Sequence, residues 1–444
     1  MAARGIATEP AQLTATEAAS LIRARRLSSE ELVRSCLARI AARDPDVRAW
    51  LWLDPDHAIR RARELDKLPN KGPLHGVPFG VKDIIDTADF PTTQNSPIYD
   101  GARIGRDAAC VAVVRGAGSL ILGKTDTVEF ASGGRKALTR NPHNLAHTPG
   151  GSSSGSGAAV ADFQVPLAFG TQTGGSQIRP ASFNGVYGIK PSWSLVSREG
   201  ARMSSITLDT VGWYGRCVDD LSLVAKAFGL EEDAAPVTVK GLRVGLCRSP
   251  VWNAIEAGGK IALETAAERL RDAGAIVEEL ILPEPFARLH DAHTTIVTYE
   301  GGAAFLPEYV NSFAMLAPDL RAKVDKRRST TPEEIRAAYA LAEACRPVFD
   351  GLFGPGLDVV LTPSAPGEAP EGLHTTGDAI FNRMWTLLHG PNIGIPCGMG
   401  PRNLPVGVTL VGPRFGDARL LRIARDLAPI IDADPQSGLR SLWG

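Results

Sequence analysis

Apolar residues recur along this chain in two rhythms. Leu32, Val33, Cys36, Leu37 and Ile40 fall three and four apart, the spacing of one helix face. Ser28 and Glu31 stand just before that run, and Thr14 and Glu17 stand in the same relation upstream. Both pairs read as capping boxes. The segment Gly76-Val-Pro-Phe-Gly-Val-Lys82-Asp83-Ile-Ile85 reads as extended. A helical pattern over 107–117 runs into Ser119-Leu-Ile-Leu-Gly123, a short apolar run with the length of a buried strand. Farther on, 242–246, 275–281, 358–362 and 406–411 read as strands and 258–273 as a helix. Thr331-Pro332-Glu333-Glu334 opens another helix with proline at its first position, and the last helix begins near Asp417. Helix and strand alternate, which predicts an α/β architecture.

The stretch 132–216 breaks this rhythm. It is rich in Gly, Ser, Thr, Asn and Pro and poor in charge, the composition of a linker. Yet Ala158-Ala-Val160 and Val165-Pro-Leu-Ala-Phe169 lie between its glycine clusters. A flexible linker has no need of apolar runs, whereas tight turns against a buried strand do. The region therefore reads as the ordered centre of the protein.

Composition adds bounds rather than direction. The chain has 444 residues, a formal net charge of -1, 44% hydrophobic and 22% charged residues, which is ordinary for a globular protein. Near-neutral charge gives no electrostatic reason to expect nucleic acid. The run Lys326-Arg327-Arg328 reads as a solvated helix end. Six scattered cysteines without CxxC spacing argue against a zinc ribbon or a disulfide framework and fit a reduced, cytoplasmic setting. Residues 1–17 lack the apolar core of a secretory signal, and no stretch approaches the ~20 apolar residues of a membrane span.

Two clusters carry candidate chemistry: Pro149-Gly150-Gly151-Ser152-Ser153-Ser154-Gly155-Ser156-Gly157 and Gly170-Thr171-Gln172-Thr173-Gly174-Gly175-Ser176-Gln177-Ile178-Arg179-Pro180. A dinucleotide cradle is one reading, but the strand expected before the GxG is replaced by Thr148-Pro149. A nucleophile elbow is another, since Gly151-Ser-Ser153-Ser-Gly155 matches GxSxG and His290, His293, His374 and His389 lie downstream. That motif also needs a preceding strand, and Asn144-Leu-Ala-His-Thr-Pro149 is not one. A third reading joins both clusters to Lys82. An amide is a poor electrophile, so its hydrolysis needs an activated nucleophile, an oxyanion site and a proton for the leaving amine. Thr173-Gly174-Gly175-Ser176 offers a hydroxyl and consecutive backbone N–H groups. Lys82, in an apolar stretch with only Asp83 beside it, would act as a base if burial kept it neutral. A second hydroxyl from the Ser152 cluster would relay the proton. The plain alternative is that these are turns and that Lys82-Asp83 is a surface pair.

Gly150-Gly-Ser-Ser-Ser-Gly-Ser-Gly-Ala-Ala-Val160 with Gly170-Thr-Gln-Thr-Gly-Gly-Ser-Gln-Ile-Arg-Pro-Ala181 resembles the amidase signature. Pro73-Leu-His-Gly-Val-Pro-Phe-Gly-Val-Lys-Asp83 resembles that family's lysine segment. Leu122-Gly-Lys-Thr-Asp126, Asn141-Pro-His-Asn144, Gly185-Val-Tyr-Gly-Ile-Lys-Pro191, Leu361-Thr-Pro-Ser-Ala-Pro366 and Leu404-Pro-Val-Gly-Val-Thr-Leu-Val-Gly412 extend the resemblance, in order, over most of the chain.

The resemblance implies a single amidase-signature α/β domain, a central mixed sheet covered by helices on both sides. A helical segment over 1–70 would pack on a catalytic domain over 71–444, with a variable cap or insertion around 285–330. It also implies a Ser–cis-Ser–Lys triad: Ser176 as nucleophile, Ser152 as bridging serine on a cis peptide, Lys82 as base. Thr173, Gly174, Gly175 and Ser176 would be the oxyanion donors. No metal or organic cofactor is implied. The expected reaction is hydrolysis of a small acyl amide or anilide, or of an ester or carbamate (a urethanase activity), by a cytoplasmic monomer or homodimer without nucleic acid or membrane. The alternatives are a glutaminase-like component of a tRNA-dependent amidotransferase (its A subunit) and a catalytically silent scaffold.

Two positions depart from the family pattern: Gln172, where many members carry Asp, and Gln177, where a small or apolar residue is usual. With the run from His147, Gln172 looks closest to the malonamidase-like bacterial branch. In that branch the arginine matching Arg179 can meet a substrate carboxylate. Bracing of the glycine loop is the plainer role for it. Arg179, Gln177, Ser153 and Gly133 are the candidate substrate-binding residues. His143 and His147 have the metal-like spacing of a helix, but Asn141-Pro142 and Pro149 disfavour a helix there and they read as loop packing; His290 and His293 lack a third ligand. Glu129 reads as structural support, and Cys110 and Cys217 as buried. Loops 92–99, 133–138 and 285–330, with Tyr99, Phe305, Tyr309, Phe313 and Trp385, are candidate pocket walls or core.

Overall fold

The computed structural model describes residues 9–230, 237–432, 439 and 442. Residues 1–8, on which the reading of a missing signal partly rests, lie outside the described residues. Eleven strands form one sheet. In chain order they are β1 (Trp50–Leu53), β2 (Pro78–Lys82), β3 (Leu120–Thr125), β4 (Leu167–Gln172), β5 (Tyr187–Lys190), β6 (Thr210–Gly215), β7 (Arg243–Leu246), β8 (Ile276–Glu279), β9 (Val359–Pro363), β10 (Asn392–Met399) and β11 (Pro405–Val411). Their order across the sheet is β1-β3-β2-β4-β6-β5-β10-β11-β9-β7-β8. β2 runs parallel to β3 and β4, and β7 runs parallel to β8 and β9. The remaining pairs are antiparallel, so the sheet is mixed, as expected.

Alternation along each strand divides the core. Ile121, Leu167, Phe169 and Trp213 pack into one cluster with Val111, Leu221, Leu263 and Leu427. Their neighbours Leu120, Leu122, Ala168 and Tyr214 join the opposite cluster with Leu32, Val33, Cys36 and Ala159. Both faces are therefore covered by helices, and each buried Leu, Val or Phe contributes about 1.5–3 kcal/mol. The two predicted capping boxes form, Thr14 with Glu17 and Ser28 with Glu31, and Thr331 with Glu334 makes a third. The strand β1, within 1–70, hydrogen-bonds to β3 and so belongs to the sheet. The stretch 285–330 is chiefly three helices, Leu289–Ala304, Leu306–Asn311 and Pro318–Ser329.

The glycine-serine centre is ordered, but its first apolar run is not a strand. Ala158-Ala-Val160 lies in a fully buried helix, Ser154–Ala161. Gly155 permits that helix to sit against the sheet margin: a Cβ there would overlap the Ala49 carbonyl oxygen and the Asp126 amide nitrogen. Both belong to one backbone hydrogen bond of 2.8 Å, so neither yields without breaking it. Gly155→Ala is expected to destabilise the protein at the upper end of the about 1–3 kcal/mol typical of overpacking. A denaturant titration reads this as a lowered midpoint at unchanged slope.

Candidate active site

β2 and β4 lie side by side, run parallel, and end at Lys82 and Gln172. Carboxyl ends of parallel neighbours are where α/β sheets form sites. Lys82 is fully buried there. Its Nζ lies within hydrogen-bond reach of Ser152 Oγ at 2.7 Å, Ser153 Oγ at 3.0 Å and Thr171 Oγ1 at 2.7 Å. The neighbouring Asp83 turns the other way and pairs with Lys124 at 3.0 Å, so the alternative of a Lys82–Asp83 surface pair does not hold. Burial pushes the Lys82 amine well below its usual range, and the negative charge of Asp209 opposes that shift only in part.

The three hydroxyls around Lys82 are not equivalent. Ser153 Oγ gives its proton to the Thr171 carbonyl at 3.2 Å and accepts from the Thr171 N–H at 3.1 Å. Toward Lys82 it can only accept. Ser152 Oγ has Lys82 as its one hydrogen-bond partner among the described residues, and the Gly151–Ser152 peptide is cis. A neutral amine offers two N–H groups and one lone pair. Ser152 is free to donate into that lone pair.

Ser176 stands in the turn after β4, half-buried, and its Oγ makes no hydrogen bond among the described residues. The backbone N–H groups of Thr173, Gly174, Gly175 and Ser176 donate to no protein acceptor among the described residues. Gly175 is required by close approach, since a Cβ would overlap Asn382 Oδ1. Gln172 fastens the end of the turn: its Oε1 accepts from Gln177 N at 3.0 Å and Ile178 N at 3.1 Å, at the start of the helix Ile178–Asn184. A carboxamide does here what a carboxylate would do, which accounts for one departure from the family pattern.

The other departure turns inward. Gln177 is fully buried against Gly170 and Gly212, and neither atom of its amide has a hydrogen-bond partner among the described residues. Ser153 is equally buried in the Lys82 network. Neither side chain is exposed in this structure. Arg179, also buried, donates to the Gly151 carbonyl and to Thr376 Oγ1 at 3.2 Å, while its Nε has no partner among the described residues. Burial lowers its pKa to about 10. These contacts are those of a brace on the loop carrying Ser152. Gly133 lies against Asp319 of the helix Pro318–Ser329, and Glu129 accepts from Ser96 Oγ at 2.7 Å and Arg135 N at 2.8 Å.

Several contributors escaped the sequence reading. Thr171 completes the lysine's surroundings. Asp209 accepts from Thr173 Oγ1 and from the amides of Ser204 at 2.6 Å and Ser205 at 3.0 Å. His293 and Thr386 touch the carbonyls of the Thr173–Gly174 turn. Asp209, His293 and Thr386 stand in no motif, because each reaches the turn from a distant element, while Thr171 lies inside the second cluster and meets Lys82 from 89 residues away. A cavity of only about 10 Å³ adjoins the turn, lined by Thr171, Thr173, Arg198, Met203 and Asp209 among others. Of the candidate wall residues, Tyr99 donates to Glu308 at 2.6 Å, Phe305 is buried against Phe130, and Trp385 is core. Phe313 is exposed and packs edge-on against Tyr309.

His143 and His147 bond to the carbonyls of Asn184 and Ala369. Among the described residues no cluster of three His, Cys, Asp or Glu side chains is arranged to hold a metal, and no helix is long and apolar enough to cross a membrane. Cys110 is buried and its thiol pushed up to about 12, while Cys217 is half-buried.

A large mixed sheet clad by helices is the architecture of amidase-signature enzymes. A family model described as Amidase matches residues 31–421, and the chain belongs to that family of amide hydrolases. It is 32% identical to the A subunit of the glutamyl-tRNA(Gln) amidotransferase of Chloroflexus aggregans, over 94% of this chain and 96% of that one. It is 33% identical to the protein of the same name from Acidothermus cellulolyticus, over 93% of each. Among solved structures, the peptide amidase of Stenotrophomonas maltophilia matches with a TM-score of 0.78 at 28% identity, over 96% of this chain and 97% of that one. A crystal structure described as an amidase matches with a TM-score of 0.83 at 28% identity, over 93% and 98%.

Proposed function

We propose that this chain hydrolyses a carboxamide through an acyl-enzyme on Ser176. The observation that carries the reading is a fully buried lysine amine 2.7 Å from Ser152 Oγ, in a pocket of hydroxyls with no carboxylate bonded to it among the described residues. Lys82, neutral, takes the proton of Ser152 as Ser152 takes that of Ser176. Ser176 Oγ bonds to the amide carbon, and the oxyanion is met by the free N–H groups of 173–176. On collapse the proton returns through Ser152 to the leaving nitrogen, the C–N bond breaks, and an ester remains on Ser176. Water, deprotonated by the same path, then releases the acid.

Of the substrate readings, full-length likeness to the amidotransferase relatives supports a glutaminase-like role within a multi-subunit enzyme better than the free-standing small-amide hydrolase that the sequence put first. That reading brings partner subunits and tRNA, against the expected monomer or homodimer without nucleic acid. The free-standing reading, with anilide, ester or carbamate substrates, keeps the support of the two amidase structures at 28% identity. Purified chain should be assayed alone on glutamine, aliphatic amides, anilides, malonamate and carbamates, then with amidotransferase partner subunits and glutamyl-tRNA. Glutamine turnover that rises on adding partners is the expected result. Ready turnover of an aliphatic amide or anilide by the chain alone would replace it with the free-standing enzyme. Inertness in both settings would leave the silent scaffold.

A further inference from the structure

The turn that offers free N–H groups has its carbonyls tied down from outside. The Thr173 carbonyl accepts from His293 Nε2 at 2.8 Å, and the Gly174 carbonyl accepts from Thr386 Oγ1 at 2.7 Å. In a trans peptide the C=O of one residue and the N–H of the next point in opposite directions across a rigid plane. A bond that fixes the Thr173 carbonyl therefore aims the Gly174 N–H, and one that fixes the Gly174 carbonyl aims the Gly175 N–H. Both N–H groups are free of protein acceptors among the described residues. With glycine at 174 and 175, no side chain at either position helps hold these planes.

The two anchors come from helices that pack on each other, Leu289–Ala304 and Ile380–Leu387. Thr386 is itself held by Gln172 Nε2 at 3.0 Å, so the anchor and the start of the turn share one contact. His293 is buried, and its Nδ1 has no hydrogen-bond partner among the described residues. Since a carbonyl can only accept, the proton must sit on Nε2. Burial lowers the pKa of this imidazole to about 4, so it stays a neutral donor across the working range.

We propose that His293 and Thr386 are positioning residues that aim the Gly174 and Gly175 N–H groups at the oxyanion formed on Ser176. The proposal rests on the Ser176 reading above. Neither residue touches the reacting atoms. Each acts by fixing a peptide plane, and so in the transition state more than in substrate binding. Loss of one oxyanion donor costs about 100–1,000-fold in kcat, and a donor that is misaimed rather than removed should cost about 10–100-fold.

The test uses the full chain, with the substrate that it turns over fastest and any partners that turnover requires. His293→Leu keeps bulk and removes the donor, while His293→Gln returns an amide nitrogen at the place of Nε2. Thr386→Val and Thr386→Ser form the matching pair. Folding is followed by unfolding midpoint. The leucine and valine variants should lose about 10–100-fold in kcat with KM within about 3-fold, and should bind a trifluoromethyl ketone more weakly by a similar factor. The glutamine and serine variants should recover to within a few-fold of wild type. Folded His293→Leu and Thr386→Val proteins with wild-type kcat would overturn the proposal, as would losses confined to KM or a donor-retaining variant as slow as its apolar counterpart. If His293→Leu does not fold, the Thr386 pair decides alone. Ser176→Ala is assayed beside them. An active Ser176→Ala protein overturns the nucleophile and this proposal with it, whereas an inactive one beside a fast His293→Leu overturns the positioning role alone.

Discussion

Ser176→Ala is expected to abolish amide hydrolysis while leaving the fold intact. Removing a nucleophile costs about 10⁶ in kcat, which leaves only the residual acceleration of an oxyanion site. The side chain is half-buried and its hydroxyl holds nothing among the described residues, so truncation should move stability by no more than about 0.5 kcal/mol. Ser153→Ala should do the reverse. That hydroxyl bridges Lys82 and both polar atoms of the Thr171 backbone, and its loss orphans a buried N–H at about 1–3 kcal/mol. Intact-mass measurement after treatment with a fluorophosphonate separates the two serines. Wild type and Ser153→Ala should each gain a single adduct, and Ser176→Ala should gain none. The opposite pattern would restore the GxSxG elbow, a motif that the structure already disfavours. No strand precedes Ser153 across 141–151, and its side chain is wholly buried.

What the sequence made legible was whatever lies close together along it. Capping boxes at Thr14 and Ser28 span four residues each, and strands such as Asp358-Val-Val-Leu-Thr362 are continuous apolar runs. Both were readable and both formed. The strands β1, β5, β6 and β10 were not read. Trp50–Leu53 and Asn392–Met399 carry no clean period of two, and Tyr187–Lys190 and Thr210–Gly215 hide in glycine-rich sequence. Ala158-Ala-Val160 has the same composition as a helix or a strand, and the burial of its glycine neighbours against the sheet decided for helix. At the site, Lys82, Ser152 and the 173–176 turn were found through family motifs. Spacing alone left them open, because nothing local says that Asp83 turns away to Lys124 and leaves Lys82 without a counter-ion bonded to it. Asp209, His293 and Thr386 were invisible for a related reason. Their roles are set by side chains reaching across 36 to 214 residues to one short turn. Gln177 is the instructive case. It was flagged as a place to look for substrate choice because it departs from the family, and its amide is packed against Gly170 and Gly212 of the sheet without hydrogen-bond partners among the described residues.

Lys82→Met is expected to lower kcat by several orders of magnitude and to change how stability depends on pH. Methionine keeps the stem and fills the space, so the variant tests the amine rather than the packing. The kinetic loss follows from the proton path: without a base, Ser152 has nowhere to pass the proton it takes from Ser176. In wild type the same amine should make kcat/KM rise with pH as Lys82 loses its proton and level off above its depressed pKa. The thermodynamic consequence has the opposite origin but the same sign. A lysine whose pKa is lower in the folded state than the ~10.4 of an unfolded chain releases a proton on folding. The unfolded state then binds more protons, so folding stability rises with pH between the two pKa values. Over that interval the unfolding free energy of wild type, less that of Lys82→Met, should rise by about 1.4 kcal/mol per pH unit. Other buried lysines such as Lys190, held near 7 chiefly by burial, contribute equally to both proteins and cancel in the difference. Denaturant titrations of the pair from pH 6 to pH 9 measure it. A flat difference together with a lost kcat would mean that Lys82 is charged in the folded protein, and would move the base to another group; a sloping difference with an active variant would mean a buried neutral lysine that takes no part in the chemistry.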